Sequence, residues 1–390
     1  MASASETATP AWLEERRRDG ASRVEGVGLP GPKQKGWEFT DLTDLDFDAY
    51  PAGRATVEGL TASDGDGAIV MQLAEAAERH PELVAERLGS IVPGGDIFTA
   101  RNEAAWRDGV FVYVPAGAQL EEPLQLTVRG AAGEEVSWRA LIVLADGAEA
   151  EVWERYESEG EGLFNGVVEL AVGDGASLRY VCEQDVSDDA WVFAAQRAEV
   201  GRDANLDWVA LGFGSGRGKV RMDTKLAGRG SSAKVTGAYA GLGTQHLDYD
   251  TTQEHAAPDT NSDLAFRGVL SGSATAVWRG MIRVDEDAQR TDAFQESRNL
   301  LLSNRAHADA IPGLEIEADD VRCTHAAAVA QVDPEQLYYL RSRGLDEAGA
   351  KRLVIDGFLQ ELVERMTEGP IRESLAGALE RRLAELLAVS

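Results

Sequence analysis

The chain has 390 residues, 44% of them hydrophobic, and a formal net charge of −29. That length can bury a large core in two or three domains. The charge excludes nucleic acid or an anionic membrane as the main partner, because both demand a cationic face.

Two cysteines, Cys182 and Cys323, are too few for a disulfide framework and read as free thiols in a reducing compartment. Met1 to Pro10 lacks the basic lead and apolar core of a secretory signal. No stretch approaches the 18 apolar residues that a membrane span needs. A cytoplasmic location is therefore expected.

Residues 1–105 read as a mostly helical region. Trp12 to Arg18 is helix-like, and Met71 to Leu88 carries Leu73, Ala76, Leu83, Val84 and Leu88 at helical spacing, with Pro81 breaking the run. Between them, Gly36-Trp37-Glu38-Phe39-Thr40-Asp41-Leu42 and the acidic segment after it are expected to be irregular.

Residues 106–332 change to a period of two. Val110, Val112 and Val114 alternate with Phe111 and Tyr113, and bulk on both sides implies burial on both faces. Runs at Leu141–Leu144, Val167–Val172 and Leu206–Leu211 follow, each closed by Gly or Asp. The closing turns recur. Ala145-Asp146-Gly147-Ala148, Gly173-Asp174-Gly175-Ala176, Gly201-Arg202-Asp203-Ala204 and Gly228-Arg229-Gly230-Ser231 are separated by 28, 28 and 27 residues. Pro115-Ala116-Gly117-Ala118 lies 30 residues before the first, and Ser271-Gly272-Ser273-Ala274 lies 43 after the last. A β-sandwich is the alternative, but a period kept through several units favours a stacked solenoid.

Residues 333–390 are helical again. Asp333-Pro334-Glu335-Gln336 is a helix start and Gly344 a stop. Leu353, Val354, Ile355, Phe358, Leu359, Leu362, Val363 and Met366 form an apolar stripe, broken at Gly369-Pro370. Ile371, Leu375, Leu379, Leu383 and Leu386 mark a last helix. Three short helices have few inner faces, so part of this stripe is expected to dock a partner.

Candidate chemistry is sparse. Gly212 to Val220 imitates a phosphate loop but is one residue too long. It has Val220 where a magnesium-binding hydroxyl is needed, and it leads into a strand rather than a helix. His246, Asp248, Asp250, Glu254, His255 and Asp259 mix imidazole with carboxylate, yet their spacing fits no closed metal motif. A solvated turn or interface is expected there.

Cys323-Thr324-His325 is the sharpest local feature. In a strand, positions two apart share a face, so thiol and imidazole point the same way. Both are ligands for iron and zinc. Two ligands do not complete a site, so a metal or cluster needs groups from another chain. A Cys–His nucleophile would also need an oxyanion hole and an orienting group, and neither is nearby.

Several blocks resemble the SufB/SufD family of iron–sulfur assembly scaffolds. They are Phe266-Arg267-Gly268-Val269-Leu270, Ala276-Val277-Trp278-Arg279-Gly280, Asp287 to Gln295, Asn299-Leu300-Leu301-Leu302-Ser303, Leu314 to His325, and Leu337 to Gly344, with Gly36 to Thr40 near the start. The resemblance implies a right-handed parallel β-helix with helical ends, in agreement with the period. It also implies a SufC-type ABC ATPase docked on the C-terminal helices, for which Leu353, Ile355, Phe358, Leu359 and Leu362 are candidates, and which would hold the ATP. A SufB-type sister subunit would pair through the final strands, and a homodimer of the isolated chain is left open.

In SufD-type members the histidine of this block lies where a transient iron–sulfur cluster forms between subunits, which singles out His325 and, less directly, Cys323. No cofactor or metal is expected to bind this chain alone. SufB-type members resemble one another in an assembly cysteine just before the histidine block. Leu314 to Ala318 has none, which favours the SufD type over the SufB type. A non-catalytic scaffold is therefore expected. A β-helix carbohydrate-active enzyme, the other class, would need a carboxylate constellation that the sequence does not display.

Overall fold

The computed structural model describes residues 9–63, 67–365 and 370–389. Its centre is a parallel β-solenoid. Strands from β3 (Asp108–Val114) to β18 (Val321–Gln331) alternate between two facing sheets, odd members in one and even members in the other. Within each sheet every strand of this run pairs in parallel with the strand two later in sequence. At the start of the rod, β1 (Thr56–Glu58) and β2 (Ile69–Gln72) pair antiparallel with their neighbours and end each sheet.

The sequence repeat is one corner of this stack. Gly117, Gly147, Gly175, Asp203, Gly230, Asp259 and Arg290 all have φ between +54° and +75°. The N–H of Gly147 donates to Asp174 O at 2.8 Å, that of Gly175 to Arg202 O at 2.7 Å, and that of Asp203 to Arg229 O at 2.9 Å. Glycine takes this left-handed conformation freely and Asp tolerates it. The series continues through Asp259 and Arg290, where no glycine betrays it. Arg290 is held there by its guanidinium on both carboxylate oxygens of Asp259, at 2.5 and 2.8 Å. Ser271-Gly272-Ser273-Ala274 is not a member. It lies between β14 (Asn261–Leu270) and β15 (Thr275–Val284), at the other corner, which explains its misfit spacing of 43.

The lumen is filled from both sheets, with Trp138, Trp208, Trp278, Tyr180, Tyr239 and Phe266 fully buried. The outer face of the odd sheet is covered by the N-terminal region. Helix α1 (Ala11–Gly26) packs on α4 (Ile97–Ala105), which lies against the sheet. Arg139 anchors this layer by bridging Glu103 and Glu169, and Glu169 also accepts from the backbone N–H groups of Gly89, Ile91 and Val92. The stretch expected as one interrupted helix from Met71 begins as strand β2. It then becomes α2 (Leu73–Arg79) and α3 (Pro81–Val84), and Pro81 opens the second helix, where its missing N–H costs nothing.

The outer face of the even sheet is polar along one side and apolar along the other. Glu151, Arg179, Asp207, Lys234 and Asp263 stand in register on successive strands, an alternating ladder in which Arg179 meets Glu151 at 3.1 Å and Asp207 at 3.4 Å. Val181, Val209, Leu211, Ala238, Ala265 and Val269 form the apolar side. Helices α5 (Pro334–Ser342), α6 (Glu347–Glu364) and α7 (Pro370–Val389) follow the last strand. Ile355, Leu359, Leu362, Val363, Leu379, Leu383 and Leu386 pack onto that apolar side. Residues 1–8, Met366, Gly369 and the side chains of Ile371 and Leu375 lie outside the described residues.

Candidate functional site

The two ends of the rod differ. The far end stops at β17 (His307–Ile316) in one sheet and β18 in the other, and among the described residues no strand lies beyond either. The preceding coil fixes which way each side chain points, because paired residues of a parallel sheet share a face. On β16 (Thr291–Leu301), Ala293, Gln295, Ser297 and Asn299 are buried in the lumen. Their register partners on β18 are Cys323, His325, Ala327 and Val329. On β15, buried Ala276, Trp278, Gly280, Ile282 and Val284 pair with Ala308, Ala310, Pro312, Leu314 and Ile316 of β17.

The last coil thus repeats the inner face of a solenoid, with no further coil among the described residues laid on it. Leu314, Ile316 and Val329 are 38%, 40% and 43% exposed. The strand edges differ as well. Pro312 lies within β17 and has no N–H to give a neighbour, as befits an edge. β18 has no proline, and from Cys323 to Gln331 it carries no Asp, Glu, Lys or Arg. Such an uncharged edge is a template for strand addition.

Cys323 and His325 sit at this end, on one face as their spacing requires. His325 is exposed, whereas Cys323 is half-buried against Ile282, Val284, Ala288, Ala293 and Ala318. Burial, with the nearby Asp292 carboxylate, pushes the Cys323 thiol above its ordinary range, so this thiol is not an activated nucleophile in the free chain. Cys182, on β8 (Ser177–Asp185) of the same sheet, is five strands away, roughly 24 Å at the usual strand spacing. It is buried among Tyr156, Tyr180 and Gln196, and burial pushes its thiol up to about 12. The two thiols form no joint site. Among the described residues there is no group of three or more His, Cys, Asp or Glu side chains that could hold a metal ion.

The acidic His246–Asp259 cluster is not a solvated turn. His246–His255 is strand β13, whose alternation splits the cluster. Asp248 faces outward, accepting from Lys219 Nζ at 2.8 Å and Thr40 Oγ1 at 2.5 Å, while Arg279 reaches Glu38 at 2.8 Å and Asp250 at 3.5 Å. These contacts strap the Gly36–Thr40 segment to the sheet. His255 faces inward between the Thr260 and Ser262 hydroxyls, at 2.8 and 2.9 Å, and burial lowers it to about 4. The glycine-rich Gly212 segment is a corner leading into strand β11 (Arg217–Leu226), not a phosphate loop.

The stripe assigned to ATPase docking also needs correction. Ile355, Leu359 and Leu362 are buried against the even sheet, because its outer face is itself apolar there. Phe358 is half-buried, with the Arg267 guanidinium 5.9 Å from its ring centre. Leu353 alone of the five stands in solvent, where with exposed Tyr339 it lines a groove of about 540 Å³ between α5 and α6; Tyr338 and Leu345 are also exposed. Helix α5 has no buried residue. Helical spacing cannot say which side of a helix meets a sheet, but the consecutive tyrosines are a sequence signal that was overlooked.

Residues 127–358 match the family model described as the SUF system FeS cluster assembly SufBD core domain, and residues 56–126 match the SufBD protein N-terminal region. The chain belongs to the SufBD family of iron–sulfur cluster assembly proteins. It is 32% identical over 373 residues to a SufBD family protein of Mycobacterium tuberculosis, covering 92% of this chain and 91% of that one. The iron–sulfur cluster assembly protein SufD of Bacillus subtilis is 30% identical over 413 residues, covering 96% and 94%. As a SufBD member the chain has a place in the SUF system. Among the described residues no helix is long and apolar enough to cross a membrane.

Proposed function

We propose that the chain is a SufD-type scaffold subunit whose open end closes against a SufB-type sister subunit, with the nascent cluster assembling beside His325. The observation that carries this reading is the uncovered last coil. It presents a lumen face, an uncharged strand edge and an exposed imidazole together. Leaving such apolar area in water is unfavourable by about 25 cal/mol per Å², so the end is built to be covered. The absence of a cysteine from β17 favours the SufD type. The subunit is non-catalytic and would hold the cluster only in transit, with iron ligands supplied across the interface.

ATP belongs to a SufC-type partner, and the surface left for it is the Tyr338, Tyr339, Leu345 and Leu353 patch rather than the buried stripe. Exposed aromatic side chains around a groove are the usual anchors of such contacts. The site of assembly is soluble and cytoplasmic.

The test is anaerobic co-purification with the ATPase and sister subunit, followed by iron and sulfide analysis. His325→Ala should leave the complex intact and lower cluster yield. A normal yield from the mutant complex would remove His325 from the mechanism.

A further inference from the structure

Directly beneath His325 lies a group that the assembly reading does not use. Gln295 is fully buried, and its Nε2 donates across the lumen to the carbonyls of Gly280 at 3.3 Å and Gly313 at 3.1 Å. Its Oε1 is also buried and has no hydrogen-bond partner among the described residues. Glycine at residue 280 leaves room for it and for the Trp278 ring: a Cβ there would come within 2.2 Å of that ring and 2.6 Å of the Gln295 oxygen. A buried acceptor without a donor costs about 1–3 kcal/mol and calls for an explanation.

The register supplies one. His325 is the partner of Gln295 on the next strand, on the same lumen face, one strand spacing of about 4.8 Å away. A neutral imidazole has one N–H to give and one nitrogen lone pair. We propose that Gln295 is a positioning residue for His325: its Oε1 accepts the imidazole N–H, which fixes the tautomer and turns the other ring nitrogen outward, toward the partner and the cluster. The two carbonyl acceptors hold the amide the right way round, since they demand its NH₂ and leave its oxygen for the ring. Partners of this kind fix ring orientation at histidine ligands, and removing one typically costs 10- to 100-fold in function. This inference rests on the assignment of His325 made above.

The test is two-bond ¹⁵N–¹H spectroscopy of the full chain labelled at histidine, alone and in the complex, with the His325 signal assigned by its loss in His325→Ala. The wild type should show a single neutral tautomer. Gln295→Met, similar in size but without an acceptor, should show a mixture, with cluster yield about tenfold lower. A mixed tautomer in the wild type, free or assembled, overturns the proposal without any variant and so stands even if Gln295→Met folds poorly. A folded Gln295→Met with unchanged tautomer and yield also overturns it. The two readings fail differently: normal yield from His325→Ala sinks the role of His325, whereas impaired His325→Ala beside unaffected Gln295→Met sinks only this one.

Discussion

Leu362 and Tyr339 should respond to truncation in opposite ways. Leu362 is fully buried between α6 and the even sheet, packed with Ile355, Leu359, Val269 and their neighbours. Leu362→Ala removes those contacts and leaves a cavity, a loss of about 2–5 kcal/mol. Much of that loss should appear as local opening, because α5 adds no buried residue to hold the helices down. Tyr339 is 57% exposed, so Tyr339→Ala should change stability by less than about 0.5 kcal/mol. If it anchors the ATPase, the same substitution should cost about 2 kcal/mol of binding, roughly a 30-fold rise in Kd.

Hydrogen exchange of the α6 and α7 amides reads the first effect, and calorimetric titration with the ATPase reads the second. Leu362→Ala should speed exchange strongly. Tyr339→Ala should leave exchange alone and weaken binding. The reverse pattern, with binding lost in a fully protected Leu362→Ala and kept in Tyr339→Ala and Leu353→Ala, would refute the placement of the docking surface.

Two pH effects follow from buried titratable groups. Burial lowers His255 from 6.5 to about 4, so between those values the unfolded chain binds a proton that the folded one refuses. Stability is full above pH 6.5 and falls on acidification, by about 3 kcal/mol at pH 4; denaturant midpoints across this range should show the loss, and His255→Asn should lack it. Glu154 behaves oppositely. Its carboxyl is buried beside Trp138 and Tyr180, and burial raises its pKa, so stability is complete below the unfolded value and declines as pH rises toward the folded one. Glu154→Gln should therefore gain on the wild type in melting temperature from pH 5 to pH 8 and show no such gain at pH 4.

The solenoid was legible because a left-handed turn leaves glycine or aspartate as its trace, and Gly147, Gly175, Asp203 and Gly230 kept it at an almost constant interval. The trace stopped at Asp259 and Arg290, where a side-chain pair replaces glycine, so the last three coils could not be counted from composition alone. The helix stripe was legible as a helix but not as buried, because its counterpart lies in residues such as Val209 and Ala265, whose outward direction only the register reveals. The His246–Asp259 segment misled because polar residues on a strand look like loop when both faces have polar partners. Cys323 and His325 fell on one face as their spacing required. Gln295 was missed, although stepping one coil back from His325 finds it.

The asymmetry of the rod has a consequence for how it multiplies. The first coil ends in two short reversed strands, β1 and β2, and the last is bare. A particle that is sticky at one tip only can recruit a single neighbour; once two bare tips meet, no growing point survives. If the bare tip pairs as proposed above, assembly halts at two by geometry rather than by concentration, and the hazard of fibres does not arise.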